Sequence, residues 1–90
     1  MRPPVISVLM DLAPGHQYRS ATLTALEHAL ERQRAHVEVR VVPTETIDRS
    51  VVADPGTAVV IGPGSPYRNP EGVLEVVRST RGRGIPLVAT

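Results

Sequence analysis

The sequence predicts an α/β domain built on a parallel sheet, and three observations predict it. Val5-Ile6-Ser7-Val8-Leu9-Met10 and Thr57-Ala58-Val59-Val60-Ile61 are short, β-branched apolar runs without alternation, the pattern of strands buried on both faces. Two other stretches, one from Tyr18 to Gln33 and one opening at Asn69, repeat their apolar residues with a helical period. The two kinds of segment take turns along the chain, giving β-α-β-(loop or short helix)-β-α-β. That order implies right-handed crossovers with helices on both faces of the sheet.

Each element has its own justification. After the first strand, Asp11-Leu12-Ala13-Pro14-Gly15-His16 reads as a loop. The first helix then carries Leu23, Leu26, Ala29 and Leu30 on one stripe, with Glu27, Glu31, Arg32 and Arg34 facing outward. Val37-Glu38-Val39-Arg40-Val41-Val42 alternates, as a half-buried strand near an edge does. Pro43 stops it, and Thr44 to Gly56 forms a polar connection with a helical turn around Thr46 to Val52. Asn69 then caps a second helix, Pro70 takes its first position, where a missing N–H costs nothing, and Glu71 complements the dipole. Val73, Val76, Val77 and Thr80 form its inner stripe, and Arg78, Arg81 and Arg83 gather near its C-terminal end beside Gly82 and Gly84. Ile85 to Thr90 begins a fourth strand.

Composition narrows the function classes. All ten basic residues are arginine, set against nine acidic ones, and a net charge of +1 offers no attraction for nucleic acid or an anionic membrane. The longest apolar run is far below the ~20 residues of a spanning helix. The N-terminus has no signal-peptide pattern, so a cytoplasmic location is expected. No cysteine is present, which excludes a disulfide framework, a cysteine-based zinc site and a thiol nucleophile within these 90 residues. No linker, repeat or low-complexity tract divides the chain, so residues 1–90 are read as one unit. A chain this short, with neither Phe nor Trp, has little core of its own.

The expected arrangement is a flavodoxin-like three-layer sandwich with strand order 2-1-3-4. Ligands in such sheets bind beyond the carboxyl ends of the strands, where the loops after the first and third strands meet. The segment there, Gly62-Pro63-Gly64-Ser65-Pro66-Tyr67, is the strongest candidate site. Pro63 and Pro66 remove two donors and stiffen the loop, leaving the N–H groups of Gly64 and Ser65 as an adjacent pair suited to an anion or developing oxyanion. The glycines permit close approach of a ligand. The plainer alternative is a loop whose Gly and Pro only make the turn. It matches neither dinucleotide nor P-loop fingerprints. Asp11, His16 and Ser20 are the residue types of a hydrolytic triad, but three residues within one short stretch rarely supply separately positioned members. His28 and His36 fall on or near the polar side of the first helix, and three scattered histidines without clustered carboxylates make a metal site improbable.

Three segments resemble a known family. Tyr18-Arg19-Ser20 followed by Ala25-Leu26-Glu27-His28-Ala29 is similar to the first helix of the glutamine amidotransferase domain of CTP synthase. Pro63-Gly64-Ser65-Pro66-Tyr67 with Glu71-Gly72 resembles its Pro-Gly-Gly loop and Glu-Gly helix start, and Ile85-Pro86-Leu87-Val88-Ala89-Thr90 resembles its Ile-Pro strand. The likeness is strongest to the CTP-synthase-related branch of class I amidotransferases, and it spans nearly the whole chain. It implies a truncated class I amidotransferase fold and a chemistry in which a thiolate attacks the glutamine amide and ammonia is delivered to an acceptor. It also implies that the intact enzyme is a ligase of pyrimidine nucleotide biosynthesis. By the same resemblance Gly64 gives the oxyanion N–H, with Ser65, Gly62 and Tyr67 around the substrate.

The family's nucleophilic cysteine follows the Ile-Pro strand, and its His-Glu pair lies further on. Residues 1–90 therefore correspond to the N-terminal half of the domain, ending at the nucleophile elbow and catalytically inert alone. No cofactor is implied. Expected partners are glutamine or a small anion, held weakly, and a second copy or complementing chain along the Ile85–Thr90 edge. The other reading is a small binding or interaction module that uses Gly62 to Tyr67 for an anionic ligand or a partner chain.

Overall fold

A computed structural model describes residues 4–13, 15–33, 36–62 and 67–89. The chain runs β1 (Val5–Leu9), α1 (Gln17–Arg32), β2 (Glu38–Val42), a 3₁₀ turn at Thr44–Thr46, α2 (Arg49–Ala53), β3 (Ala58–Ile61), α3 (Pro70–Arg83) and β4 (Leu87–Ala89). The four strands form one all-parallel sheet in the order β2-β1-β3-β4, consistent with a flavodoxin-like architecture. Ser7 to Leu9 of β1 are buried between two neighbours, whereas β2 at the edge alternates between exposed and half-buried positions until the buried Val42. The difference follows from position in the sheet: a central strand is covered on both faces and an edge strand is not.

The two faces are unequal. Leu9, Val42, Val59 and Ile61 point to one side and pack with Val73 and Val76 of α3. Ile47, Val51 and Val52 close the same core from the 3₁₀ turn and α2, with Val77 and Leu87 at its margin. Ser7 also lies among these buried residues, and its hydroxyl donates to the buried Pro55 carbonyl at 2.7 Å. A buried hydroxyl without such a partner is costly. Gly56 follows at φ +100°, and a Cβ there would stand 2.8 Å from the Val5 carbonyl oxygen, which instead accepts the Thr57 N–H.

Helix α3 begins as its sequence dictates: the Asn69 side chain accepts the Gly72 N–H at 3.0 Å, and Pro70 and Glu71 open the first turn. Gly84 ends it at φ +67°, the left-handed cap that favours glycine. Val73, Val76 and Thr80 are buried on its inner stripe and Val77 is half-buried. Ser79 donates to the Val52 carbonyl at 2.7 Å and Arg83 to the Ala53 carbonyl, so α3 is stitched to α2. Arg83 thus has a specific partner, beyond the favourable interaction with the helix dipole that its position alone predicts.

Helix α1 behaves differently. It lies over the other face, beside Val60 of β3 and Val88 of β4, and none of its residues is buried. Leu23, Leu26 and Leu30 reach half-burial, while Ala29, placed by periodicity on the apolar stripe, is exposed. Between α1 and the β3–β4 side of the sheet runs an open groove of about 540 Å³ lined by Ala21, Thr22, Ala25, Leu26, Val60 and Val88. The apolar stripe exists, but it has little to cover it.

This asymmetry sets unequal costs for truncation. Leu9→Ala, in the closed core, should destabilise the chain by about 3 kcal/mol, through lost transfer energy and a residual cavity. Leu26→Ala on α1 should cost less than half of that, because its side chain is only partly removed from water. Urea unfolding of both variants against the parent measures the difference.

Candidate functional site

The carboxyl ends of β1, β2 and β3 are joined by one carboxylate. Asp11 follows β1 after Met10. Its Oδ1 accepts the Thr44 N–H at 2.8 Å, and its Oδ2 accepts the Thr44 hydroxyl at 2.6 Å and the Arg68 N–H at 2.8 Å. Thr44, fully buried just after β2, passes the connection on. Its hydroxyl oxygen accepts the Asn69 N–H at 2.9 Å, and its carbonyl accepts the Asn69 side-chain amide at 3.1 Å. Asn69 then caps α3. Three loops from distant parts of the chain are thereby fixed to one another through charge-assisted bonds.

Partial burial pushes the Asp11 carboxyl up. The Thr44 hydroxyl, the Arg68 and Thr44 N–H groups and the Arg68 charge outweigh that and hold it below its ordinary value of 3.8. The Arg68 guanidinium pairs with Glu45 at 2.8 Å on the surface, and this carboxylate raises it further above its ordinary range. Arg19 donates to the Leu12 carbonyl at 3.1 Å, placing a second guanidinium beside the β1–α1 loop. The rim of the site is therefore of mixed sign.

The described ends of the segment singled out from sequence, Gly62 and Tyr67, lie beside this network. Gly62 continues β3, its N–H donating to the Leu9 carbonyl at 2.9 Å, and the Tyr67 hydroxyl donates to the Gly62 carbonyl at 2.9 Å. Both ends of the segment are anchored, Gly62 to β1 and Tyr67 through its neighbour Arg68 to Asp11. Gly64 and Ser65, with Pro63 and Pro66, lie outside the described residues. Gly62 itself is buried, and a Cβ at this position would come within 2.7 Å of the Met10 side chain. The absence of a side chain at this position leaves room for that of Met10.

The other candidates separate. Asp11 is engaged with Thr44 and Arg68, whereas the His16 Nδ1 accepts the Tyr18 N–H at 3.2 Å as the N-cap of α1. Ser20 lies in the first turn of α1, with its N–H on the His16 carbonyl, so the three do not form a triad. His28 and His36 are exposed, and no group of three potential metal ligands occurs among the described residues. Around a hollow of about 560 Å³ between α2 and α3, Asp48 caps α2, Glu75 pairs with Arg78 and Arg83 holds the Ala53 carbonyl. It is a seam between helices. Thr44 is the residue that sequence reasoning missed, since a threonine in a polar connection carries no mark of burial. Comparison with family models, with curated proteins and with solved structures gives no match.

The Asp11 network makes stability depend on acid pH with a definite sign. A carboxyl depressed on folding contributes fully above its unfolded value near 3.8, and that contribution is lost as pH falls through the lower folded value. Asp11→Asn should cost about 1 to 3 kcal/mol near neutrality, as charge-assisted bonds are removed. The variant should also show a smaller fall in stability between neutral pH and pH values below 3.8 than the parent. Asp48, depressed by its Ser50 and Val51 bonds, titrates in both proteins and cancels in the comparison. Denaturant unfolding across that pH range reads the difference.

Proposed function

We propose that residues 1–90 form the N-terminal, substrate-holding half of a class I, CTP-synthase-like glutamine amidotransferase domain, with segment 62–67 receiving the glutamine side-chain amide. The observation that carries this reading is the anchoring of both ends of that segment at the β1–β3 crevice, through Gly62 to Leu9 and Tyr67 to Gly62 on one side and Arg68 to Asp11 on the other. A donor pair must be preorganised to hold a developing oxyanion, and the bonds made by Gly62, Tyr67 and Arg68 on either side of residues 63–66 support that reading. The resemblance of Pro63-Gly64-Ser65-Pro66-Tyr67, the Glu71-Gly72 helix start and the Ile85-Pro86 strand to that family supports the same assignment. A cytoplasmic setting accompanies it.

Mixed charge at the rim favours this over the second reading, a module for simple anions. Asp11 and Glu45 stand against Arg19 and Arg68, and free glutamine, which carries both charges, matches such a rim better than a bare anion does. With no cysteine among these 90 residues there is no thiolate to attack the amide, so the chain binds without turnover.

Titration of the chain with glutamine and, separately, with acetate or phosphate tests the reading by chemical shift. Glutamine should bind with a dissociation constant of about a millimolar or weaker, because ground-state contacts through the same N–H groups lack the transition-state charge. Shifts should centre on Gly62, Gly64, Ser65 and Tyr67, and no ammonia should be released. Equal response to the anions moves the assignment to the anion module, and the absence of shifts in this segment overturns both.

A further inference from the structure

A hydroxyl carries one proton to donate and lone pairs with which to accept, and the buried Thr44 hydroxyl uses both capacities. Its proton goes to Asp11 Oδ2 at 2.6 Å, and its oxygen receives the Asn69 N–H at 2.9 Å. The directions are fixed by the partners. An ionised carboxylate can only accept, and a backbone N–H can only donate.

The neighbouring amide ends at the same place. The Arg68 N–H donates to Asp11 Oδ2 at 2.8 Å, so two consecutive amides, 68 and 69, are received by two oxygen atoms that are themselves 2.6 Å apart. Each amide belongs to a rigid peptide plane, and holding two successive planes fixes the backbone dihedrals of the residue between them. That residue is Arg68, the first after segment 62–67. With one of the two bonds missing, the chain could turn about the other.

We infer that Thr44 is a positioning residue for segment 62–67: its hydroxyl, bonded to Asp11 and to the Asn69 amide, fixes the path of the chain out of the segment and through it the affinity for glutamine. The inference rests on the reading of that segment as the glutamine site. Asp11 does not suffice, because of these two amides it receives only that of Arg68. The Asn69 side chain does not substitute, since its oxygen accepts the Gly72 N–H at 3.0 Å and its nitrogen donates to the Thr44 carbonyl at 3.1 Å.

The role belongs to the hydroxyl and not to the bulk of the side chain. Valine has nearly the shape of threonine, and it would keep the backbone N–H that donates to Asp11 Oδ1 at 2.8 Å, yet it can neither donate to Oδ2 nor accept from Asn69. Serine keeps both functions and loses only a methyl group. The two substitutions therefore separate positioning from packing.

Thr44→Val and Thr44→Ser test the inference, with Val76→Ala in the buried stripe of α3 as a control for lost stability alone. Each chain is studied where its denaturant curve shows it fully folded, first by residue-resolved amide exchange without ligand and then by titration with glutamine. Thr44→Val should speed exchange at Arg68 and Asn69, and together with them at Gly64, Ser65 and Tyr67, and should weaken glutamine binding at least about tenfold, the scale of one lost hydrogen bond to a charged group. Thr44→Ser should restore both readouts to within about threefold of the parent, as expected for the loss of a methyl group alone. Val76→Ala should lower stability and leave both readouts unchanged. The parent supplies an arm that needs no variant: coupling is reciprocal, so saturating glutamine should slow exchange at the Arg68 and Asn69 amides.

Faster exchange confined to Arg68 and Asn69 overturns the inference, because Thr44 then serves only the cap of α3. So does glutamine binding by Thr44→Val with the parent's affinity, an equal loss in Val76→Ala, or a parent whose Arg68 and Asn69 amides ignore bound glutamine. A parent that does not bind glutamine overturns the assignment of that ligand to the segment, and the exchange measured without ligand still decides whether Thr44 positions it.

Discussion

The arrangement of this small domain depends on the Asp11 carboxylate. Parallel strands are joined by long crossovers, so the loops that meet at their carboxyl ends come from positions far apart in the chain, and closing them together is entropically expensive. Asp11 offsets that expense by accepting three bonds from two such loops, and Thr44 extends the connection to the cap of α3. A neutral side chain in its place would leave the Thr44 N–H, buried with its residue, and the Arg68 N–H without their charged acceptor. The first turn of α3 is held at the same point, through Thr44 and Asn69.

Much of the fold was legible in the sequence because local signals and global requirement agree. The unalternating runs at Val5 and Ala58, the alternation from Val37 and the Asn69-Pro70-Glu71 helix start each report a backbone environment directly, and each element stands where its pattern places it. The strand order followed from crossover handedness more than from any residue. What was not legible is long-range. Nothing in the polar stretch after Pro43 marks Thr44 as fully buried, because its burial is created by Asp11, 33 positions earlier, and Asn69, 25 later. His16 was likewise open to several readings until its Nδ1 was seen to cap α1.

The sheet also divides the energetic weight of the molecule. One face is closed by α2, α3 and the 3₁₀ turn, with stitching bonds from Ser79 and Arg83 to the end of α2. The other bears a helix with no buried residue and an open apolar groove. Stability in such a chain is not uniform, and α1 should be the first element to lose protection as conditions become destabilising. The candidate site lies across this divide, since β1 feeds α1 on one side and the Asp11 network on the other.

The contact between Met10 and Gly62 has a consequence for how the sequence can vary. A Cβ at 62 would meet both the Cε of Met10, at 2.7 Å, and its Cβ, at 3.1 Å. Shortening the methionine side chain relieves only the first encounter, since every residue except glycine retains a Cβ at position 10. The two positions are therefore coupled asymmetrically. Position 10 can explore smaller apolar residues at the cost of a cavity, while any side chain at position 62 requires the Met10 Cβ, and with it the local backbone, to give way slightly. Variation across related chains should record that asymmetry as drift at one site beside fixity at the other.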